Sequence, residues 1–182
     1  SVDPIVVAAE CVEALQTIRS RRIHPQEGFV LSIGSIHGGS RFNIIADEVV
    51  LVGTMRTLDE KTRADALRWM GEILGGVTSA HGATYEITTT ESAAVTVNDS
   101  ALLAATLPEL KRSFGETGLV SIRPVMISED FSFYQKEVPG FFYHLGIGNP
   151  KGGNHSPFFD IDESAMETGV RVAVTTTSSS SV

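Results

Sequence analysis

Three short stretches of this sequence concentrate the side chains with chemistry to offer. His155 sits in a glycine-rich run, Gly146-Ile147-Gly148-Asn149-Pro150-Lys151-Gly152-Gly153-Asn154-His155-Ser156-Pro157, directly after an apolar stretch of strand type. Ligands gather at the carboxyl ends of strands in α/β sheets, and a neutral imidazole held there can coordinate Zn²⁺. A polar loop position is the alternative. The second stretch, His37 to Ala46, joins two predicted strands and is longer than the roughly two to five residues of a simple hairpin. Its glycines permit close approach of the backbone to a ligand. Asn43 within it, and Arg56 at the end of Gly53-Thr54-Met55-Arg56, pair an amide with a guanidinium. Together they could clamp a carboxylate, the arginine through two parallel hydrogen bonds. Otherwise Asn43 pins the loop backbone and Arg56 is a solvated edge charge. The third stretch is Ser128-Glu129-Asp130-Phe131, whose adjacent carboxylates either serve a metal or cap the following helix, the commoner use.

The remaining histidines read as bystanders. His24, before Pro25 in a basic turn, and His81, before Gly82 at a helix end, read as surface residues, while His144 reads as a strand residue with one satisfied nitrogen. Cys11, the single cysteine, falls in an apolar helical pattern with no basic neighbour to stabilise a thiolate, so it reads as a small buried hydrophobe.

Elements must hold these residues in place. Asp3-Pro4 signals a helix start, followed by Ile5, Ala8, Val12, Leu15 and Ile18 at helical spacing. Phe29 to Ile36 and Val49 to Thr57 are β-branched and read as strands. Thr57-Leu58-Asp59-Glu60 has the form of a capping box before a helix carrying Leu67, Met70, Leu74 and Val77. Tyr85 to Thr90 reads as a further strand. This order suits a small antiparallel sheet covered on one face by two helices, and one more strand before Pro4 would complete it. Beyond Asn98 the pattern alternates: a helix from Asp99 to Phe114, a strand from Leu119 to Met126, a short helix from Asp130 to Glu137, a strand from Gly140 to Gly146, and a helix from Asp162 to Val174. Such alternation favours an α/β lobe with a mainly parallel sheet, and two strands are few for a complete one. The fold class is therefore α/β (α+β): a small antiparallel-sheet lid with two helices, followed by an incomplete α/β lobe. The Ser/Thr run from 175 to 182 lacks periodicity and reads as a frayed tail.

Composition narrows the function. With 182 residues, 42 % hydrophobic and 20 % charged, the chain has the makings of a packed globular protein. Its net charge of −8 argues against a nucleic-acid surface, which needs clustered Lys and Arg. No apolar run approaches the roughly 18 residues of a membrane span. A reducing, cytoplasmic setting is the expectation from a single cysteine and the lack of a signal-peptide pattern.

Taken together, Gly34-Ser35-Ile36-His37-Gly38-Gly39, Phe42-Asn43-Ile44-Ile45 and Gly53-Thr54-Met55-Arg56 resemble the lid of the aminoacylase and carboxypeptidase G2 superfamily, with the hippurate hydrolases, indole-acetyl-amino-acid hydrolases and N-acyl-amino-acid amidohydrolases among its members. Ser128-Glu129-Asp130-Phe131, Val138-Pro139-Gly140 and His155-Ser156-Pro157 with Asp162-Glu163 resemble the end of the superfamily's catalytic domain. The resemblance spans about Ser1 to Val174. It implies a lid and dimerisation domain over 1–93, the C-terminal part of a metal-binding catalytic domain over 94–174, and a tail over 175–182. It also implies two divalent ions, usually zinc, with His155 as the last ligand. Asn43 and Arg56 become lid residues that grip a substrate carboxylate in the partner subunit's site of a homodimer, and Ser128 becomes a substrate-binding position. No catalytic residue is assigned.

The sequence departs from the pattern in places. It holds no His-x-Asp and no Glu-Glu pair for the other ligands and the general base, Ala46 stands where proline is usual, and Ile127 where glycine is. The implied parent is a metal-dependent hydrolase cleaving the amide of N-acyl amino acids, this chain alone being inactive. The alternatives are a non-catalytic lid-like dimerisation or small-molecule-binding module, and a dipeptidase or deacetylase of the same superfamily.

Overall fold

Asp3 and Pro4 start the first helix, α1 (Pro4–Thr17). Asp3 Oδ1 accepts from the Ile5 amide at 3.0 Å, and proline takes the first helical position, where an N–H would have no helical partner. The computed structural model describes residues 1–148, 152–153 and 155–179. The buried face of α1 is Val7, Ala8, Cys11 and Leu15, continued by Ile18. It is rotated from the stripe expected from Ile5 and Val12, and Ile5 stays exposed. Cys11 is buried, and its thiol is pushed above its ordinary value by that burial and by the neighbouring Glu10 carboxylate. A π-helical turn, Ile18–Arg22, closes α1, and Arg19 donates to the carbonyls of His24 and Pro25 just beyond it.

Strands β1 (Phe29–Gly38) and β2 (Val49–Thr57) pair antiparallel and make up the sheet of the described residues. From Phe29↔Thr57 to Ile33↔Gly53 the register is regular. On that stretch Phe29, Leu31, Ile33 and Met55 pack with Leu15, Ile18, Ile23 and Ala66. Gly34 is then skipped, and the pairs continue as Ser35↔Val52, Ile36↔Leu51 and His37↔Val50. Side chains alternate between faces along a strand, so the bulge reverses which residues face the helices. It carries His37 to the outer face, alongside Val50 and Val52 and on the same side as Arg56.

Helix α2 (Glu60–His81) is capped by Asp59, whose carboxylate accepts from the Thr62 amide at 2.6 Å. The capping box read at Thr57–Glu60 is thus displaced by two residues. Thr57 Oγ1 instead bonds the backbone of Asp59, and Glu60 Oε1 accepts from the Val95 amide. The face turned to the core is Ala66, Trp69, Met70, Ile73 and Leu74, one step round from the expected stripe. Gly82, at φ 68°, ends the helix in the left-handed conformation that glycine adopts without strain. His81 does not simply face solvent: its Nε2 lies 2.6 Å from Glu10 Oε2 and ties α2 to α1. The stretch expected as a strand from Tyr85 to Thr90 forms no ladder. It runs back along α2, with the Tyr85 hydroxyl donating to the Gly71 carbonyl at 3.0 Å and Arg63 paired with Glu91.

These residues, Ser1–Val95 together with Pro124–Asp130, form one compact unit. Thr96–Arg123 and the described residues from Phe131 onward form the second. The second unit contains α3 (Ser100–Phe114), α4 (Phe131–Glu137) and α5 (Ser164–Ser179). Asp99 caps α3 by accepting from the Leu102 amide at 2.7 Å. Arg171 of α5 donates to the Ser113 carbonyl at 3.0 Å and lies over the Phe114 ring.

The strands expected over 119–126 and 140–146 are extended stretches without a ladder among the described residues. A ladder needs a neighbouring backbone, and side chains supply the bonds instead. Asn98 Nδ2 donates to the Phe142 carbonyl at 2.9 Å while its Oδ1 accepts from the Phe142 amide at 2.7 Å. His144 is exposed, edge-on to Phe142, and has no ring-nitrogen hydrogen bond among the described residues, contrary to expectation. Helix α5 runs to Ser179 through part of the expected frayed tail, whose residues 180–182 lie outside the described residues. Thr175 and Thr176 return their hydroxyls to the carbonyls of Arg171 and Ala173, which lets these residues continue a helix. The fold class is the expected one, helices with a small antiparallel sheet. No helix of the described residues is long and apolar enough to cross a membrane.

Candidate functional site

The bulged hairpin positions the loop. Gly39, at φ 78°, turns the chain out of β1, and a Cβ there would meet Ile5 Cδ1 at 3.5 Å. A turn follows in which the Ile44 amide donates to the Arg41 carbonyl at 3.3 Å. Phe42 and Asn43 are its two central residues, so both side chains leave the loop at its corner. Asn43 is exposed, and Phe42, at 104 %, touches nothing that shields it. Between the arm from His37 to Ser40 and the arm from Ile44 to Val50 lies an open cavity of about 490 Å³, with His37, Asp47 and Glu48 on its walls.

Arg56 lies elsewhere. It pairs with Val30 near the far end of the ladder, whereas the loop leaves from Gly38↔Val49. Most of the nine-residue strand β2 separates them, a distance on the order of 20 Å at the strand rise. Asn43 and Arg56 of one chain therefore do not close on one carboxylate, and the clamp read from their sequence spacing does not form within a chain. The structure brings Arg56 to the third stretch instead. Its Nη1 donates to the Met126 carbonyl at 2.8 Å, two residues before the exposed Ser128. One bond of the five-donor guanidinium fork is used in this way, which fixes where the rest of it points. Glu129 and Asp130 follow directly, ahead of α4.

His155 belongs to the second unit. Of its loop, Asn149, Pro150, Lys151 and Asn154 lie outside the described residues. The base of the loop is tied by the Asp162 amide donating to the Ile147 carbonyl at 3.1 Å, and Asp162 then accepts from the Ser164 amide at the start of α5. Hydrogen bonds from the Ser164 hydroxyl and amide hold the Asp162 carboxyl below the usual carboxylate range. Around His155 the Ser156 amide bonds the Gly153 carbonyl, and the Phe159 amide bonds the Ser156 carbonyl. His155 has φ 67°, the one non-glycine residue with positive φ among the described residues. A left-handed histidine costs conformational energy and is kept where the surroundings over-determine it, commonly at ligand sites. Its side chain is exposed. No three His, Cys, Asp or Glu side chains converge as a metal site among the described residues, so His155 fits as a single donor and not as a complete set.

Two features of this geometry have no signature in residue spacing. The Met126 carbonyl that holds Arg56 is backbone, and the prominence of Phe42 follows only from the turn. Its one sequence signal is an aromatic standing between polar neighbours in a loop, Ser40-Arg41-Phe42-Asn43.

Comparison with known proteins places these features in a family. The sequence pattern of peptidase family M20/M25/M40 matches residues 5–179. The chain is similar to thermostable carboxypeptidase 2 of Saccharolobus solfataricus, 34 % identical over 174 residues that cover 93 % of the chain and 44 % of that protein. It is similar to N-acetyldiaminopimelate deacetylase of Leuconostoc citreum, 32 % identical over 92 % of the chain and 43 % of that protein. In three dimensions it resembles the YXEP protein of Bacillus subtilis, described as a dinuclear metal binding peptidase, with a TM-score of 0.80 and 26 % identity over 96 % of the chain and 45 % of that structure. The chain thus spans less than half the length of these relatives.

Proposed function

The chain belongs to peptidase family M20/M25/M40, and on that premise we propose that the protein carrying it is a metal-dependent hydrolase of N-acyl amino acids. Relatives named carboxypeptidase and deacetylase share one chemistry, cleavage of an amide beside an amino acid. Two ions are expected, since the similar solved structure is described as a dinuclear metal binding peptidase, and zinc suits the imidazole of His155 as one ligand. When bound, such ions polarise the scissile carbonyl and acidify a water. By itself the 182-residue chain, with its single candidate donor, is expected to bind zinc weakly and to hydrolyse nothing. Tight stoichiometric zinc in calorimetry would sink that expectation.

The observation that carries the reading is the separation of Arg56 from Asn43. A guanidinium fixed beside Ser128 and an amide at the far end of the same hairpin can serve one substrate carboxylate only if they come from two copies of the chain. In a homodimer joined through the lid, Arg56 works with Ser128 of its own chain and Asn43 reaches the partner's site. The trans role that the family resemblance gives to both residues is kept for Asn43 alone. This subunit chemistry, and a cytoplasmic setting, complete the proposal.

Subunit mixing in the full-length protein tests it. Asn43→Ala and Arg56→Ala should each lower kcat/KM roughly tenfold to a hundredfold, the value of a charge-assisted hydrogen bond. Mixed and allowed to exchange, the two variants should regain activity, with one intact site per heterodimer. The double variant exchanged with wild type should yield heterodimers with no intact site. Verified exchange without recovery in the first mixture would show that both residues serve from the same chain.

A further inference from the structure

We propose that Phe42 is a specificity-determining residue, which covers an apolar substituent of the same N-acyl amino acid whose polar end Asn43 holds. The inference rests on the function proposed above and adds the substrate class. Phe42 and Asn43 are the two central residues of the Arg41–Ile44 turn, so an amide and a phenyl ring leave the chain at one corner. The corner is anchored. Gly39 sets the chain direction against Ile5, and β1 and β2 hold both ends of the loop.

The ring itself is bare at 104 % exposure, the highest among the exposed large hydrophobic residues. A phenyl ring in water is unfavourable by the whole of its apolar surface, and here no neighbour offsets it. A ligand that places a polar group on Asn43 and an apolar group a few ångströms away gains from both at once. An N-acyl amino acid is such a molecule when its acyl group or its side chain is large and apolar. Because Asn43 acts across the dimer in this reading, Phe42 makes the selectivity of each site a property of its partner's loop.

Full-length protein assayed on N-acetylglycine, N-benzoylglycine and N-acetylphenylalanine tests the inference, with kcat/KM expressed as ratios to N-acetylglycine. Wild type should prefer at least one bulky substrate. Phe42→Ala should reduce that ratio roughly tenfold to a hundredfold, the range set by burying one aromatic side chain, and Phe42→Leu should retain part of it. Loss on N-benzoylglycine assigns the contact to the acyl group, and loss on N-acetylphenylalanine assigns it to the side chain. Equal changes on all three substrates, or a weakened dimer in light scattering with unchanged ratios, overturn the inference and leave the function standing. A wild-type protein that cleaves none of the three overturns the proposed function and this inference with it.

Discussion

The two compact units solve the same problem, satisfying extended backbone, by different means. In the first, β1 and β2 satisfy each other over nine registered pairs of residues, and α1 and α2 cover one face around Leu15, Ile18 and Ala66. In the second, the extended stretches find no ladder among the described residues, and single side chains take over. Asn98 clips both polar groups of Phe142, and Gln135 accepts from the Val97 amide while donating to the Gly140 carbonyl. Apolar side chains are left outside in both units, Val120 and Phe158 at 79 % exposure in the second and Val52 at 55 % on the hairpin of the first. The difference teaches that a hairpin carries its own partner, whereas an isolated extended segment borrows one from side chains.

The largest way to break this comparison is to attack the core of the first unit. Ile18→Ala removes a side chain with no solvent exposure and should destabilise that unit by about 3 kcal/mol, the range for truncating buried aliphatics. Chemical denaturation followed at Trp69, which packs against this core, would read it. An effect below about 1 kcal/mol would mean that the cluster is not close-packed.

A more pointed test is Asn98→Ala. It leaves the part-buried amide and carbonyl of Phe142 without their partner, and should cost about 1–3 kcal/mol. The telling readout is hydrogen exchange. Protection at the Phe142 amide should vanish while the β1–β2 amides remain protected. If Phe142 stays protected, another group holds that segment and the contrast between the units weakens.

The smallest expected effect is shared by both units. Asp59 at the start of α2 is held below the usual carboxylate range chiefly by the Thr62 amide, and Asp162 at the start of α5 chiefly by the Ser164 hydroxyl. A carboxyl whose folded value is lowered contributes stability that is complete above its unfolded value and is lost as pH falls through the folded one. Acid below the ordinary carboxylate range should therefore loosen both helix starts. Asp59→Asn should flatten the acid limb of α2 alone, seen as a smaller pH dependence of its amide shifts. An unchanged acid limb would remove Asp59 as its source.

What could be read beforehand follows the same division. Asp3-Pro4, Asp99 and the two β-branched strands act through neighbours a few residues away, and their elements stand within a residue or two of expectation. The capping box failed by two residues because Thr57 and Asp59 compete for one helix start, and the carboxylate of Asp59 takes the Thr62 amide. The segments at 85–90, 119–126 and 140–146 have strand composition, but composition names no partner. The site divides similarly. His155 and the 37–46 loop stood out by residue type. The distance between Asn43 and Arg56 depends on hairpin register, and the left-handed backbone of His155 on loop closure, and neither is written in any single residue.

Gly34 leaves one consequence for how such a lid can change. A strand has parity, odd residues to one side and even to the other, and the surplus residue at Gly34 flips it midway. Giving that residue a partner, by one residue added to β2 between Val52 and Gly53, would restore a single phase along β1. His37 would turn toward the helices, Ile36 would turn to the outer face, and Phe29, Leu31 and Ile33 would keep their places. An insertion opposite this point is thus a rotation by half a turn that affects the distal end of the hairpin alone. Lineages that vary the chemistry beside the loop could do so by length, leaving every core residue unaltered.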